Sequence, residues 1–186
     1  MPEDSEIIDL LFARKEEGLA ALNEKYGRVC TALSNNILAS SLDAEECVND
    51  AYLQIWNTIP PKRPYCLAAY LYTLVRQCAC VRYHKNTAKK RNSQYDLALC
   101  ELADCIPSGQ NVEDEIAAKE LSWAINEFLS TLKKEDRILF VRRYWCAQSI
   151  AQISKEGGKS AHYLSVRLDR IRKKLKKHLH ERGFTL

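Results

Sequence analysis

Ser149–Lys177 reads SIAQISKEGGKSAHYLSVRLDRIRKKLKK. A short, nearly uncharged stretch bearing Ile150 and Ile153 meets Gly157-Gly158. Beyond the glycines, apolar residues recur at Leu164, Leu168, Ile171, Leu175 and Leu179. Spacing of three and four predicts one buried stripe along a single helix. The glycine pair marks a turn, so the segment predicts two helices sharing a core, a helix-turn-helix. Opposite the stripe, a helical wheel places His162, Val166, Arg170 and Lys173, flanked by Tyr163, Arg167 and Asp169. Polar and apolar groups come first and Lys/Arg later. That order suits a helix whose first residues read base edges while later ones grip phosphates. An exposed Val166 is odd on a solvated face but suits a thymine methyl. A basic helix that merely meets water is the plainer reading of the same charges; the glycine turn favours the groove.

Outward from this segment the chain reads as all-α. It has 186 residues, room for one medium or two small domains. Only six Gly and five Pro interrupt runs rich in Leu, Ala, Glu and Lys, a composition that favours helix. Helical periodicity predicts helices over about 4–22, 24–39, 43–57, 65–87, 113–131, 134–145, 148–156 and 160–181. Pro60, Pro61 and Pro64 break the first half. The expected architecture is two small helical domains, 1–92 and 113–186, joined by a flexible acidic linker over 93–112 that includes Pro107-Ser108-Gly109. The second domain contains the helix-turn-helix.

The net charge of +4 conceals blocks of opposite sign. Residues 1–60 hold eleven Asp/Glu against four Lys/Arg, and residues 61–91 hold eight Lys/Arg with no acid. Residues 92–118 carry six acids and no base; residues 167–182 carry eight bases and two acids. Two basic blocks separated by an acidic one suit two nucleic-acid surfaces and a segment that avoids them. No apolar run approaches the roughly 18 residues of a membrane span, so no membrane insertion is expected. The N-terminal stretch MPEDSEIIDLLF is acidic where a signal peptide would be basic, which places the chain in the cytoplasm. There, eight cysteines read as reduced thiols acting as small hydrophobes. Cys78-x-Cys80-x3-His84 has no second ligand pair at zinc spacing, so neither metal nor other cofactor is expected. Phosphate-loop, dinucleotide, metalloprotease and nucleophile-elbow motifs are missing, which argues against an enzyme.

Two helices in the first half carry a second face. In the helix from about 65, Leu67, Leu71, Leu74, Val75, Cys78 and the stem of Arg82 point inward. Thr73, Arg76, Gln77, Cys80 and His84 point outward, bordered by Tyr72 and Tyr83 and followed by Lys85, Lys89, Lys90 and Arg91. Cations interleaved with rings suit separated DNA strands, although tyrosines at this spacing also serve as core. In the helix over 43–57, Ala44, Cys47, Val48, Ala51 and Ile55 form a core stripe. Asn49, Leu53 and Trp56 point nearly opposite, rimmed by Glu45 and Glu46. This face fits a protein partner with a basic rim, or a Trp56 that packs under the loop at 57–64.

Taken together, DAEECVNDAYLQIWNTIP (43–60) and AAYLYTLVRQCACVRYHKNTAKKR (68–91) resemble the promoter-melting domain of bacterial sigma factors of the extracytoplasmic-function branch. FLSTLKKEDRILFVRRYW (128–145) and VRLDRIRKKLKKHL (166–179) resemble that family's C-terminal domain. The resemblance implies a factor that binds core RNA polymerase and directs promoter-specific transcription initiation. It assigns Asn49, Asp50, Leu53 and Trp56 to the polymerase clamp helices. Lys62, Arg63, Thr73, Arg76, Gln77 and His84 fall to the minus-ten element, and His162, Tyr163, Val166, Arg167, Arg170 and Lys173 to the minus-thirty-five element. The acidic linker would thread through the polymerase, and an anti-sigma factor is a further partner the family allows. The chain departs from the family pattern at Tyr70 (usually Trp), Gln77 (Asn), Val81 (Asp) and Lys133 (Pro). Its turn SKEGGKSAHY is also about three residues longer. The reading from a different class is a self-sufficient helix-turn-helix transcriptional regulator. A nucleic-acid enzyme is weaker still, because Glu45, Glu46 and Asp50 lack an accompanying base or metal set.

Overall fold

The computed structural model describes residues 2–86, 94–103, 105–106 and 115–184, with residues 115–117 as backbone only. Lys89, Lys90, Arg91 and the part of the expected linker over 107–112 lie outside the described residues. Every regular element among the described residues is helical. The chain forms two compact units, Met1–Ser93 and Gln94–Leu186.

The first unit contains α1 (Asp4–Phe12), α2 (Glu17–Leu38), α3 (Ser41–Thr58) and α4 (Leu67–Asn86). Expecting one helix over 4–22 and another from 24 misplaces the break. The chain turns at Ala13–Glu16, where Arg14 adopts a left-handed φ of 55°, and Asn23 continues α2. The turn folds α2 back onto α1: a Cβ at Gly18 would stand 3.1 Å from Leu10 Cβ and from Leu11 atoms. Asp4 fastens the pair, accepting a 2.7 Å ion pair from Lys25 and a hydrogen bond from the Tyr26 hydroxyl. Burial alone would raise the Asp4 carboxyl, but those two donors outweigh it and hold it below the usual carboxylate range. Ser40 caps α3 by accepting from the Asp43 N–H at 3.4 Å.

The core of this unit is built from α2 (Leu22, Cys30, Leu33, Ile37), α3 (Ala44, Cys47, Val48, Ala51, Ile55) and α4 (Leu67, Leu71, Val75, Ala79). The α3 stripe is as the periodicity predicts. On α4 the fully buried line runs through Ala79, whereas Leu74, Cys78 and Arg82 are only half-buried. Arg82 instead forks onto Glu46 and reaches Asp43, tying α4 to α3. Burial pushes the Cys30 thiol up to about 12 and raises Cys47 and Cys78 as well, so these sulfurs act as apolar filler. Cys66 and Cys100 are exposed and do not fit that description.

The second unit begins with a correction. Residues 94–103, assigned to a flexible linker, form α5 (Gln94–Ala103). Ala98 is buried in the core of this unit, and Leu102 and Ile106 pack against the same cluster. Then follow α6 (Glu115–Thr131), α7 (Lys134–Phe140), a π-helical turn over Val141–Trp145, α8 (Ile150–Gly157) and α9 (Ala161–Glu181). The helix expected over 134–145 thus changes pitch at 141, where Arg143 and Tyr144 are both buried. Phe128, Leu139, Phe140 and Ile153 close over Leu164, Leu168, Ile171, Leu175 and Leu179 of α9. A fully buried side chain of this size contributes about 1.5–3 kcal/mol.

Ser149 and Gln152 form a reciprocal capping box at the start of α8. Gly158 ends it in a left-handed conformation (φ 64°), donating its N–H to the Ser154 carbonyl at 3.0 Å. Gly157 remains helical, so one glycine makes the turn. Within SKEGGKSAHY, α8 runs through Gly157, leaving Gly158, Lys159 and Ser160 between the helices. Ser160 then caps α9 by accepting from the Tyr163 N–H at 3.2 Å.

Candidate nucleic-acid interface

With the Leu164–Leu179 stripe buried, α9 must turn its other side outward. His162, Tyr163, Val166 and Arg170 are exposed there, Val166 by 37 % and Tyr163 by 46 %. Tyr163, Val166, Arg170 and Lys174 line a depression of about 550 Å³ whose wall includes Asp136 of α7. Lys173 projects from the same side with a 2.9 Å ion pair to Asp169 one turn earlier, an exposed pair that phosphates can outcompete. Hydrogen bonding to Lys173 is what chiefly lowers the Asp169 carboxyl.

Arg167 sits differently from its neighbours. Its Nε donates to Asp136, its Nη2 to Glu135 at 3.0 Å and its Nη1 to the Tyr163 hydroxyl at 3.0 Å. Arg167 also lines the depression, with its guanidinium on the flank of α9 that faces α7. Hydrogen bonds that it donates to the two carboxylates raise its already high pKa. Sequence reasoning missed Asp136 because nothing local links it to a residue 31 positions away.

Glu101 of α5 was missed for the same reason. It accepts from Arg143 Nε at 3.2 Å and Nη2 at 2.5 Å, from the Tyr144 hydroxyl at 3.1 Å and from Arg172 Nη1 at 3.2 Å. Arg143 is only 2 % exposed and also donates to the Gln148 carbonyl at 2.9 Å. Burial, foremost, pushes the Tyr144 phenol upward. Arg172 belongs to α9, so this acidic helix supports the far flank of the basic helix.

In the first unit, Thr73, Gln77 and His84 are exposed on α4 and Arg76 is half-buried. The Thr73 hydroxyl is turned back onto the Ala69 carbonyl at 2.8 Å. Tyr83 packs edge-on to His84 with centroids 5.6 Å apart, leaving a ring beside the polar face. Tyr72 instead meets Tyr26 edge-on at 6.0 Å, a tie between α4 and α2. Lys62 is exposed. Arg63 is engaged within the unit: it pairs with Asp9 at 2.6 Å and lies 5.3 Å over the Phe12 ring. That pair is exposed on both sides and easily exchanged for another anion.

On α3, Asn49 and Asp50 are exposed and Leu53 is 58 % exposed. Trp56 is half-buried. In the α1–α2 turn, the Arg14 guanidinium lies 5.3 Å from the ring and donates to the Trp56 carbonyl. The face is thus apolar at Leu53, cationic at Arg14 and acidic at its rim. Arg14, 42 positions from Trp56, gave no sign of this in the sequence.

Among the described residues, no group of three or more His, Cys, Asp or Glu is placed to hold a metal ion, and no helix is long and apolar enough to cross a membrane. The first unit thus joins an acid-rimmed apolar face on α3 to a polar, ring-bordered face on α4. Residues 22–89, from within α2 through α4, match the family described as Sigma-70 region 2. The match bears on α2 through α4, the part of the chain that is similar to region 2 of sigma-70 factors. α1 and the whole second unit lie outside the matched residues. No curated protein matches the chain.

Proposed function

We propose that the chain is a cytoplasmic sigma factor of the extracytoplasmic-function branch, with α3 docking on the polymerase clamp helices through Asn49, Asp50, Leu53 and Trp56. Arg76, Gln77 and His84 of α4, with Lys62, Arg63 and Thr73, engage the minus-ten element. α9 enters the major groove of the minus-thirty-five element through His162, Tyr163, Val166, Arg170 and Lys173. The single observation that supports this most is a region 2 match on the same chain as a capped helix-turn-helix whose second helix keeps its basic side open. An anti-sigma factor is a further proposed partner.

The deciding experiment incubates the purified chain with core RNA polymerase and then transcribes a library of genomic fragments. Co-purification with the core enzyme and initiation at a recurring bipartite element are the expected results. Tight binding of duplex DNA by the chain alone, with no affinity for polymerase, would instead define a self-sufficient helix-turn-helix regulator.

The α4 face makes its own prediction. A contact to an unstacked base is worth about 1–3 kcal/mol. An Arg76→Ala/Gln77→Ala/His84→Ala variant should therefore open duplex promoters at least about tenfold more slowly. A template already melted over the minus-ten region should restore part of the loss. Equal loss on both templates, followed by permanganate reactivity, would remove strand opening from these residues.

A further inference from the structure

The contacts of Arg167 point beyond a generic basic helix. Every nitrogen of its guanidinium is engaged: Nε with Asp136, Nη2 with Glu135 at 3.0 Å and Nη1 with the Tyr163 hydroxyl at 3.0 Å. The side chains of Arg167 and Asp136 are 23 % and 19 % exposed, so the pair is sheltered where most of the helix's cations stand in water. The guanidinium also lies 5.8 Å from the Tyr163 ring centroid. A phenol oxygen carries one O–H and two lone pairs. Here one lone pair accepts from a cation, which polarises the O–H and strengthens it as a donor. The ring edge stays exposed in the depression shared with Val166 and Arg170.

Resting on the reading of α9 as a major-groove helix, we infer that Asp136 and Arg167 form a positioning pair that fixes Tyr163 as a hydrogen-bond donor to one base. A donor at that place selects a base edge presenting an acceptor, such as guanine O6 or N7 or thymine O4. It disfavours cytosine, whose exposed group is an amine. Tyr163 is then a specificity-determining residue, and Arg167 acts through it rather than on a phosphate.

The test uses the full chain bound to core polymerase, a promoter library randomised over the upstream element, and several salt concentrations. Asp136→Asn is the decisive variant, because it keeps the Arg167 cation and replaces the charged acceptor of its Nε with a neutral, weaker one. Asp136→Asn, Arg167→Met and Tyr163→Phe should all relax the preference at the same base pair, by about 5-fold to 100-fold for one lost base contact. None should alter the dependence of log K on log salt, whereas Arg170→Ala should flatten that slope by about one unit. Melting curves for each variant separate this effect from loss of folding. If Arg167→Met flattens the slope and weakens all sequences alike while Asp136→Asn binds as tightly as the parent, Arg167 is a phosphate contact and the inference is overturned. If Tyr163→Ala and Val166→Ala also leave every base preference unchanged, the reading of α9 fails, and the positioning role with it.

Discussion

Replacing Glu101 with alanine should unfold the second unit at a markedly lower temperature while leaving the first unit unchanged. Glu101 holds Arg143, Arg172 and the Tyr144 hydroxyl together, and Arg143 is almost fully buried. Removing the carboxylate strands a guanidinium that cannot lose its charge. Breaking a buried pair from one side costs roughly 3–5 kcal/mol. The Glu101 side chain is 27 % exposed and Arg143 keeps its bond to the Gln148 carbonyl, so the lower end, about 3 kcal/mol, is expected. For a unit of this size that is roughly 12–24 °C in melting temperature. Glu101→Gln keeps an acceptor and should fall between. Combining Glu101→Ala with Arg143→Met should recover much of the loss, because the stranded charge is gone. Near-ultraviolet circular dichroism during heating is the measurement. A Glu101→Ala protein that melts like the parent would show that α5 is only an attachment.

This expectation could not have been formed from the sequence, and the reason is instructive. Tyr95, Ala98 and Leu102 are spaced by three and four, the mark of a helix with one apolar side. That signal is short, and it stands in a block with six acids and no base, next to Pro107-Ser108-Gly109. Composition spoke for a tether while periodicity spoke for a helix. What tipped the balance in the structure was a set of cations 42 and 71 residues further along the chain. Arg63 and Arg167 repeat the lesson. Their partners in the structure lie 54 and 31 positions away. Periodicity assigns a residue to a side of its own helix; it cannot say which other helix comes to lie beside that side.

Where one helix is decided by its own residues, the reading is sharp. Ala44, Cys47, Val48, Ala51 and Ile55 all lie in the core, as do the five apolar residues of α9. The same logic located the open face of α9, since a helix with a buried stripe must turn its other residues out. It failed at Arg14, because the apolar pattern of Ile7, Ile8 and Leu11 runs on toward Leu22 and hides the turn between α1 and α2. The turn is a matter of backbone conformation at one residue, φ 55° at Arg14, which no hydrophobic period reports.

A Leu53→Ala/Trp56→Ala protein should stay helical and lose core polymerase. Leu53 is exposed to 58 % and touches little of the core, so its truncation removes almost no folding energy. Trp56 is half-buried, with the Arg14 guanidinium 5.3 Å from its ring. An aromatic or aliphatic anchor at the centre of an interface contributes about 2 kcal/mol or more when truncated. Two such anchors together correspond to roughly a thousandfold weaker binding. The measurement is fluorescence anisotropy of labelled protein titrated with core polymerase, alongside thermal melting. Leu53→Ser guards the interpretation, since it disturbs the face without touching Trp56 and should weaken binding by itself. Loss of the first unit's melting transition in Trp56→Ala would make that ring a folding residue held by Arg14. Unchanged polymerase affinity in a stably folded Leu53→Ser and in the double variant would remove α3 from the interface and leave its apolar outer face without a partner.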